Sequence, residues 1–227
     1  MWQRIKRWLS PASQLPEQWR ATLWGELPLL SIDCELTGLD YKQADILSIG
    51  WVKAQGYSID LQNSFYEIIS TKRSLDQSPV IHGLTDKEIK QGKKLKPVLE
   101  QLLGFASTHV WVFHHTFLDL SVLQRVCNTL QIPWPTVVTI DTMQLARYEM
   151  KRKHQVVPPD SATLQVSRQR HQLPEAPAHN ALDDAMATVE LLFAQMQTLD
   201  PKSELCLADF FHTGAIRVFP CSEPAKA

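Results

Sequence analysis

Two acidic residues, Asp33 and Glu35, flank Cys34 at the end of a short apolar run, residues 28–33 (PLLSID), which reads as a buried strand. Residues two apart on a strand face the same side, about 7 Å apart along it. Two carboxylates aimed one way from a buried strand repel each other unless something positive lies between them. Magnesium and manganese, which prefer oxygen ligands, answer that need, whereas a solvated strand end would require no ion. Asp119 lies in residues 113–123 (FHHTFLDLSVL). Thr116 could cap a helix there with Asp119 as its N3 partner. Alternatively, Asp119 could open the helix after a core strand, where strand C-terminal ends face a ligand crevice. Residues 179–184 (HNALDD) carry a third set. Residues five apart on a helix do not share a face, so His179 belongs to the loop before the helix. Asn180 is a good N-cap, and Asp183 then falls at N3, where acids favour the helix dipole. That leaves Asp184 without a structural task and makes it the candidate ligand. Asp141, in TIDTMQLAR, follows a strand and precedes a helix, so it reads as an N-cap and stays outside the site.

The elements that must position these residues follow from periodicity. Residues 28–33, 45–52 and 57–69 read as three strands with short connections, Gln55-Gly56 supplying one turn, which favours antiparallel neighbours. Helical periods then run over residues 85–89 and 96–105, followed by a strand at 110–113 (VWVF) and a helix at 117–130. A strand at 137–140 (VVTI) and a helix at 143–149 come next, and the last periodic helix covers 180–196. Alternating strand and helix implies parallel strands with crossovers, so the expected fold is α/β: three antiparallel strands, then parallel strands, in a mixed sheet flanked by helices. Residues 151–159 and 174–178 read as loops. The chain divides into an amphipathic helical extension at 1–25, one main domain at 26–200 and a tail at 201–227.

Composition sets outer limits. With 227 residues, one large domain is favoured over two. Lys and Arg total 23 against 24 Asp and Glu, a formal net charge of −1. That excludes a bulk polycation but not a nucleic-acid enzyme, which can hold phosphate through metals and a local basic patch. Two basic groups are candidates for such a patch: Lys87, Lys90, Lys93, Lys94 and Lys96, or Arg147, Lys151, Arg152, Lys153 and His154. The four cysteines are far apart with no CxxC pair, which argues against a disulfide scaffold or thiolate zinc site. No apolar run approaches the ~20 residues that span a bilayer, and the N-terminus lacks a signal-peptide core. A cytoplasmic protein with no membrane partner is the expectation.

Taken together, these segments resemble the DEDDh 3′–5′ exonucleases, a superfamily that includes the proofreading epsilon subunit of bacterial DNA polymerase III, ribonuclease T and oligoribonuclease. The family's DxE followed by TG matches Asp33, Glu35, Thr37 and Gly38. Its histidine-containing turn before a helix-borne Asp matches Asp119, and its H followed five positions later by D matches His179 and Asp184. An HGL-T segment matches residues 81–89 (IHGLTDKEI). Leu36 stands where the epsilon subunit usually has Thr, and His115 where Asn is usual.

The resemblance implies a ribonuclease H-like fold and two-metal hydrolysis, with two Mg2+ or Mn2+ ions stabilising the attacking and leaving oxygens. By that resemblance Asp33 bridges both ions, Glu35 and Asp184 bind one, Asp119 holds the second through water, and His179 is the general base. Thr37, Gly38, Leu39, His82 and, more weakly, Leu118 line the site of the 3′-terminal nucleotide. The implied activity is a 3′–5′ exonuclease releasing nucleoside monophosphates from single-stranded ends. DNA is favoured over RNA, and a non-catalytic polymerase- or nucleic-acid-binding module is a further alternative. A DNA polymerase catalytic subunit is a possible partner. However, only about 30 residues follow the last core helix, which favours a stand-alone enzyme over one with an extended polymerase-binding segment.

Overall fold

The computed structural model describes residues 14–71, 83–153, 156–177 and 179–224. Residues 1–13 of the amphipathic extension expected at 1–25 lie outside them. The first elements are α1 (Glu17–Arg20), β1 (Leu29–Leu36), β2 (Ile46–Gln55) and β3 (Ser58–Ile68). Then come α2 (Asp86–Gln91), α3 (Leu95–Leu103), β4 (Val110–Phe113), α4 (Thr116–Thr129), β5 (Val137–Asp141) and α5 (Thr142–Arg152). The chain continues through α6 (Leu164–Arg170), α7 (Ala181–Leu199), a 3-10 turn (Leu207–Thr213) and β6 (Ile216–Phe219).

The strands form one sheet in the order β3-β2-β1-β4-β5-β6. β1 pairs antiparallel with β2, and β2 with β3. β1–β4 and β4–β5 are parallel, as the strand–helix alternation requires. β6 closes the far edge antiparallel to β5.

Alternation along the central strands divides the core in two. Leu30, Ile32 and Cys34 of β1 point with Trp111 and Phe113 of β4 into one cluster, covered by Leu99 and Leu102 of α3 and Leu120 and Leu123 of α4. Leu29 of β1, Val110 and Val112 of β4, and Val138 and Ile140 of β5 point the other way, against Leu145 of α5 and Val189 and Leu192 of α7. Asp33 and Glu35 belong to this second face by the period of two, so they look toward α7. The helices therefore sandwich the sheet, and the carboxylates sit where β1 runs out of apolar residues.

Three parts of the chain differ from the sequence reading. The stretch treated as a tail contributes β6 and the 3-10 turn, whose Phe210 stacks on Trp24 at 4.1 Å. Residues 151–152, read as loop, complete α5, and residues 164–170 form α6. Among the described residues, no helix is long and apolar enough to cross a membrane.

Candidate active site

The β1–β2 ladder sets Asp33 opposite Gly50 and Glu35 opposite Ser48. Gly50 is what lets α7 reach the carboxylates. A methyl group built on it would lie within 2.6 Å of Leu182 Cα at the start of α7, where backbone cannot give way. Glycine inside a strand costs stability, and close backbone approach is its usual reason. One turn along, Ser31 donates its hydroxyl to the Ala185 carbonyl at 2.7 Å and fixes the helix to the same strand. Sequence reasoning missed Gly50. A glycine in the middle of DILSIGWV was the available signal.

Asp119 arrives from the other layer. β1 and β4 pair only from Leu29↔Val110 to Ser31↔Val112, so the end of β1 extends past its neighbour. α4 starts there, and the Asp119 carboxyl, 5% exposed, receives a hydrogen bond from the Cys34 backbone. The Thr116–Asp119 capping box does not form. Thr116 is the first helical residue, its hydroxyl has no hydrogen-bond partner, and the cap position is His115. His115 has φ of 85°, in the left-handed region where Asn is enriched and His is also tolerated. That backbone gives a physical reason for the family's usual Asn. Asp141 is the N-cap expected of it, accepting from the Gln144 N–H at 3.0 Å. Its second oxygen accepts from the Thr116 N–H, also at 3.0 Å, so one side chain ties the starts of α4 and α5. His114 is held between Thr142 Oγ1 (2.8 Å) and the Ala162 carbonyl (2.9 Å), and burial pushes its pKa down to about 4.

Asn180 caps α7, its side-chain oxygen accepting from the Leu182 and Asp183 N–H groups. Asp184 turns back to accept from the His179 N–H at 3.0 Å, whereas Asp183 shows no such tie to the site. His179 is exposed and has φ of 67°, which turns the incoming loop sharply into the helix. Ligand atoms of Glu35, His179 and Asp184 all lie within 4.8 Å of one another, close enough to share one ion.

The electrostatics are those of acids crowded together. Burial, then Asp119, Asp184 and Glu35, push the Asp33 carboxyl well above its ordinary value. Burial pushes Glu35 up to about 7, with Asp184 adding to it. Burial also raises Asp119 to about 8 against the hydrogen bonds that favour its charge. Asp184 is raised by burial, with the His179 N–H and the charges of His179 and Arg168 opposing. Four oxygen-donor groups that resist ionisation for want of a counter-charge suit a hard divalent cation.

The nucleotide-lining candidates are spread along the same edge. Thr37 ends β1 by exchanging two hydrogen bonds with Asp45, its N–H donating to the Asp45 carbonyl (3.0 Å) and its hydroxyl accepting from the Asp45 N–H (2.9 Å). Nothing crowds Gly38, Leu39 is 84% exposed, and Leu118 is half-buried in the first turn of α4. Arg125 of α4 donates to the carbonyls of Tyr41 and Ala44, docking this loop onto the helix of Asp119. His82 lies outside the described residues, as does His154 of the second basic group.

Among known proteins, the PolC-type DNA polymerase III of Thermotoga maritima is 27% identical over 207 residues, 88% of this chain. The chain spans 14% of that polymerase's length. The nuclease domain of 3′hExo, a DEDDh family member bound to rAMP, superposes with a TM-score of 0.60 at 12% identity, covering 81% of this chain and 97% of that one. The Mg2+- and Mn2+-bound form of S. pombe Pop2p gives 0.59 at 14% identity, covering 84% and 88%. These likenesses are of fold, and the mixed sheet is ribonuclease H-like. An exonuclease family model of the RNase T type matches residues 30–192. That span runs from the second residue of β1 to the middle of α7 and carries every acid and histidine brought together above, so the chain belongs to the RNase T family of exonucleases.

Proposed function

We propose that this chain is a metal-dependent 3′–5′ exonuclease that releases nucleoside monophosphates from single-stranded ends, with DNA the favoured substrate. The observation that carries the reading is the convergence of Asp33, Glu35, Asp119 and Asp184, their pKa values raised, beside an exposed histidine. Bound divalent cations would polarise the scissile phosphate and make attacking water acidic. In this reading Asp33 would serve as a ligand to both ions, Glu35 and Asp184 would hold one, and Asp119 would hold the other. His179 takes the proton from the attacking water on a ring nitrogen. Its place on a loop at the cleft mouth lets it exchange that proton with solvent. Thr37, Gly38, Leu39 and Leu118 line the terminal nucleotide, and the exposed Leu39 offers apolar surface to a base. His82 belongs to the same proposed set.

The PolC-type relative supports DNA as substrate and a polymerase catalytic subunit as a candidate partner. The rAMP bound by 3′hExo makes RNA the alternative to test. Matched 5′-labelled DNA and RNA oligonucleotides, each with Mg2+ and Mn2+, decide between them. The expected result is a DNA ladder shortening from the 3′ end that stops with EDTA. Faster loss of RNA would move the substrate, and degradation that survives EDTA would overturn the mechanism. A pull-down against the polymerase subunit tests the partner.

A further inference from the structure

Between α6 and α7 the chain crosses the site as a strap, residues 173–177, that delivers His179. A cavity of about 620 Å3, which also reaches Asp33 and Asp184, lies on one side of it. A second of about 540 Å3 lies on the other, and all five strap residues line both. The strap is thus flanked by open space, and Pro174, Glu175 and Pro177 are exposed. Pro174 and Pro177 have no N–H to donate, which removes two tethers.

What the strap does have is Arg168. This α6 residue is 5% exposed. Its Nη2 donates to the Pro174 carbonyl at 3.0 Å, and its backbone carbonyl accepts from the Leu173 N–H at 3.0 Å. Its Nη1 donates to the Ala187 carbonyl of α7 at 2.8 Å and meets Glu190 at 2.8 Å. One guanidinium thus joins α6, the near end of the strap and the helix that carries Asp184. Asn180, capping that helix, is the anchor at the far end.

We infer that Arg168 is the positioning residue for His179: by fixing Pro174 to α7 it sets where the strap returns the imidazole over Glu35 and Asp184. The planar fork matters, since two carbonyls and a carboxylate are met at once and a lysine ammonium cannot reproduce that geometry. This inference rests on His179 being the base.

The test is a cycle of full-length variants on a 5′-labelled oligodeoxynucleotide with Mg2+. Arg168→Lys should lower kcat by up to about 10²-fold, the cost of a misplaced catalytic group, with KM nearly unchanged. In a His179→Ala background the same change should cost no more than about twofold, because the residue it positions is gone. Glu190→Gln keeps both carbonyl hydrogen bonds and should stay within about twofold of wild type. A wild-type kcat for Arg168→Lys, a loss carried in full into His179→Ala, or the same loss in Glu190→Gln would each overturn the inference. If Arg168→Lys melts below assay temperature, Arg168→Gln carries the same cycle. Failure of both to fold would assign Arg168 to the core and overturn it too. Equal rates for wild type and His179→Ala would remove the base reading, an outcome seen separately from the Arg168 result.

Discussion

Asp33 and Asp141 occupy equivalent places in the sheet. Each lies toward the C-terminal end of a strand in the parallel β1-β4-β5 block, beside the start of a helix. Their surroundings are opposite. Both oxygens of Asp141 are taken by backbone N–H groups, those of Gln144 and Thr116. Asp33 faces Asp119, Asp184 and Glu35. An aspartate whose lone pairs are filled by helix starts holds the fold together. An aspartate among other acids raises the energy of the empty site and lowers it only when a cation arrives. Residue type and position do not separate the two roles; the partners do.

The largest expected effect separates the two directly. Asp33→Asn should lower the nuclease rate by about 10³-fold or more, the loss of several kcal/mol of ion-mediated stabilisation. Its metal-free melting temperature should hold or rise, because a repelling charge is gone. A lower melting temperature with rate intact would break the comparison. Gly50→Ala acts on the Asp33 side through backbone alone. It pushes Leu182 and the start of α7 away, and a shift of that kind costs up to about 10²-fold in rate. Wild-type kinetics for this variant would mean that α7 has slack the structure does not display.

Asp141→Ala should show the mirror image of Asp33→Asn. It loses one helix cap and leaves the buried Thr116 N–H unpaired, together about 2–4 kcal/mol, or a melting temperature lower by roughly 5–15 °C. Below that temperature its rate should stay within about tenfold of wild type, since the carboxylate holds backbone groups only. The smallest effect is the pH dependence of stability without metal. Glu35 and Asp119 bind protons more tightly folded, at about 7 and about 8, than at their ordinary 4.5 and 3.8. The native state therefore holds more protons than the unfolded state between those values, and stability should fall as pH rises from about 4 to 8. His114, lowered to about 4, works in the opposite sense below pH 6.5. Melting curves across this range with EDTA, and again with saturating Mg2+, report the difference. A slope that Mg2+ leaves unchanged would detach the carboxylates from cation binding.

Much of this was legible in the chain. The β1, β4 and β5 runs are mainly apolar segments followed by polar residues, so strand type and the three antiparallel then parallel order followed from pattern. The separation of Asp184 from Asp183 followed from helix capping, and the structure brings Asp184, not Asp183, to Glu35 and His179. What escaped depends on contacts distant in sequence. α6 (LQVSRQR) has no apolar stripe because what it buries includes Ser167 and Arg168, and the Arg168 guanidinium pairs with carbonyls rather than packing. β6 is four residues long and becomes a strand only because β5 lies beside it. The meaning of Gly50 appears only once Leu182, more than a hundred residues later, is pressed against it.

The alternation that turns Asp33 and Glu35 toward α7 also turns Cys34 into the core. Burial and the carboxylates of Asp119, Asp33 and Glu35 raise its thiol pKa well above the ordinary value. Because the thiolate is the reactive form, Cys34 is chemically silent despite its address between two site residues. Burial likewise raises the Cys127 thiol to about 12. Cys221 is exposed and sits beside Thr136, just before β5, at the end of the sheet away from the acids. A fluorophore coupled there by maleimide chemistry gives a handle for testing the proposed nucleic-acid binding at a point away from Asp33 and Glu35.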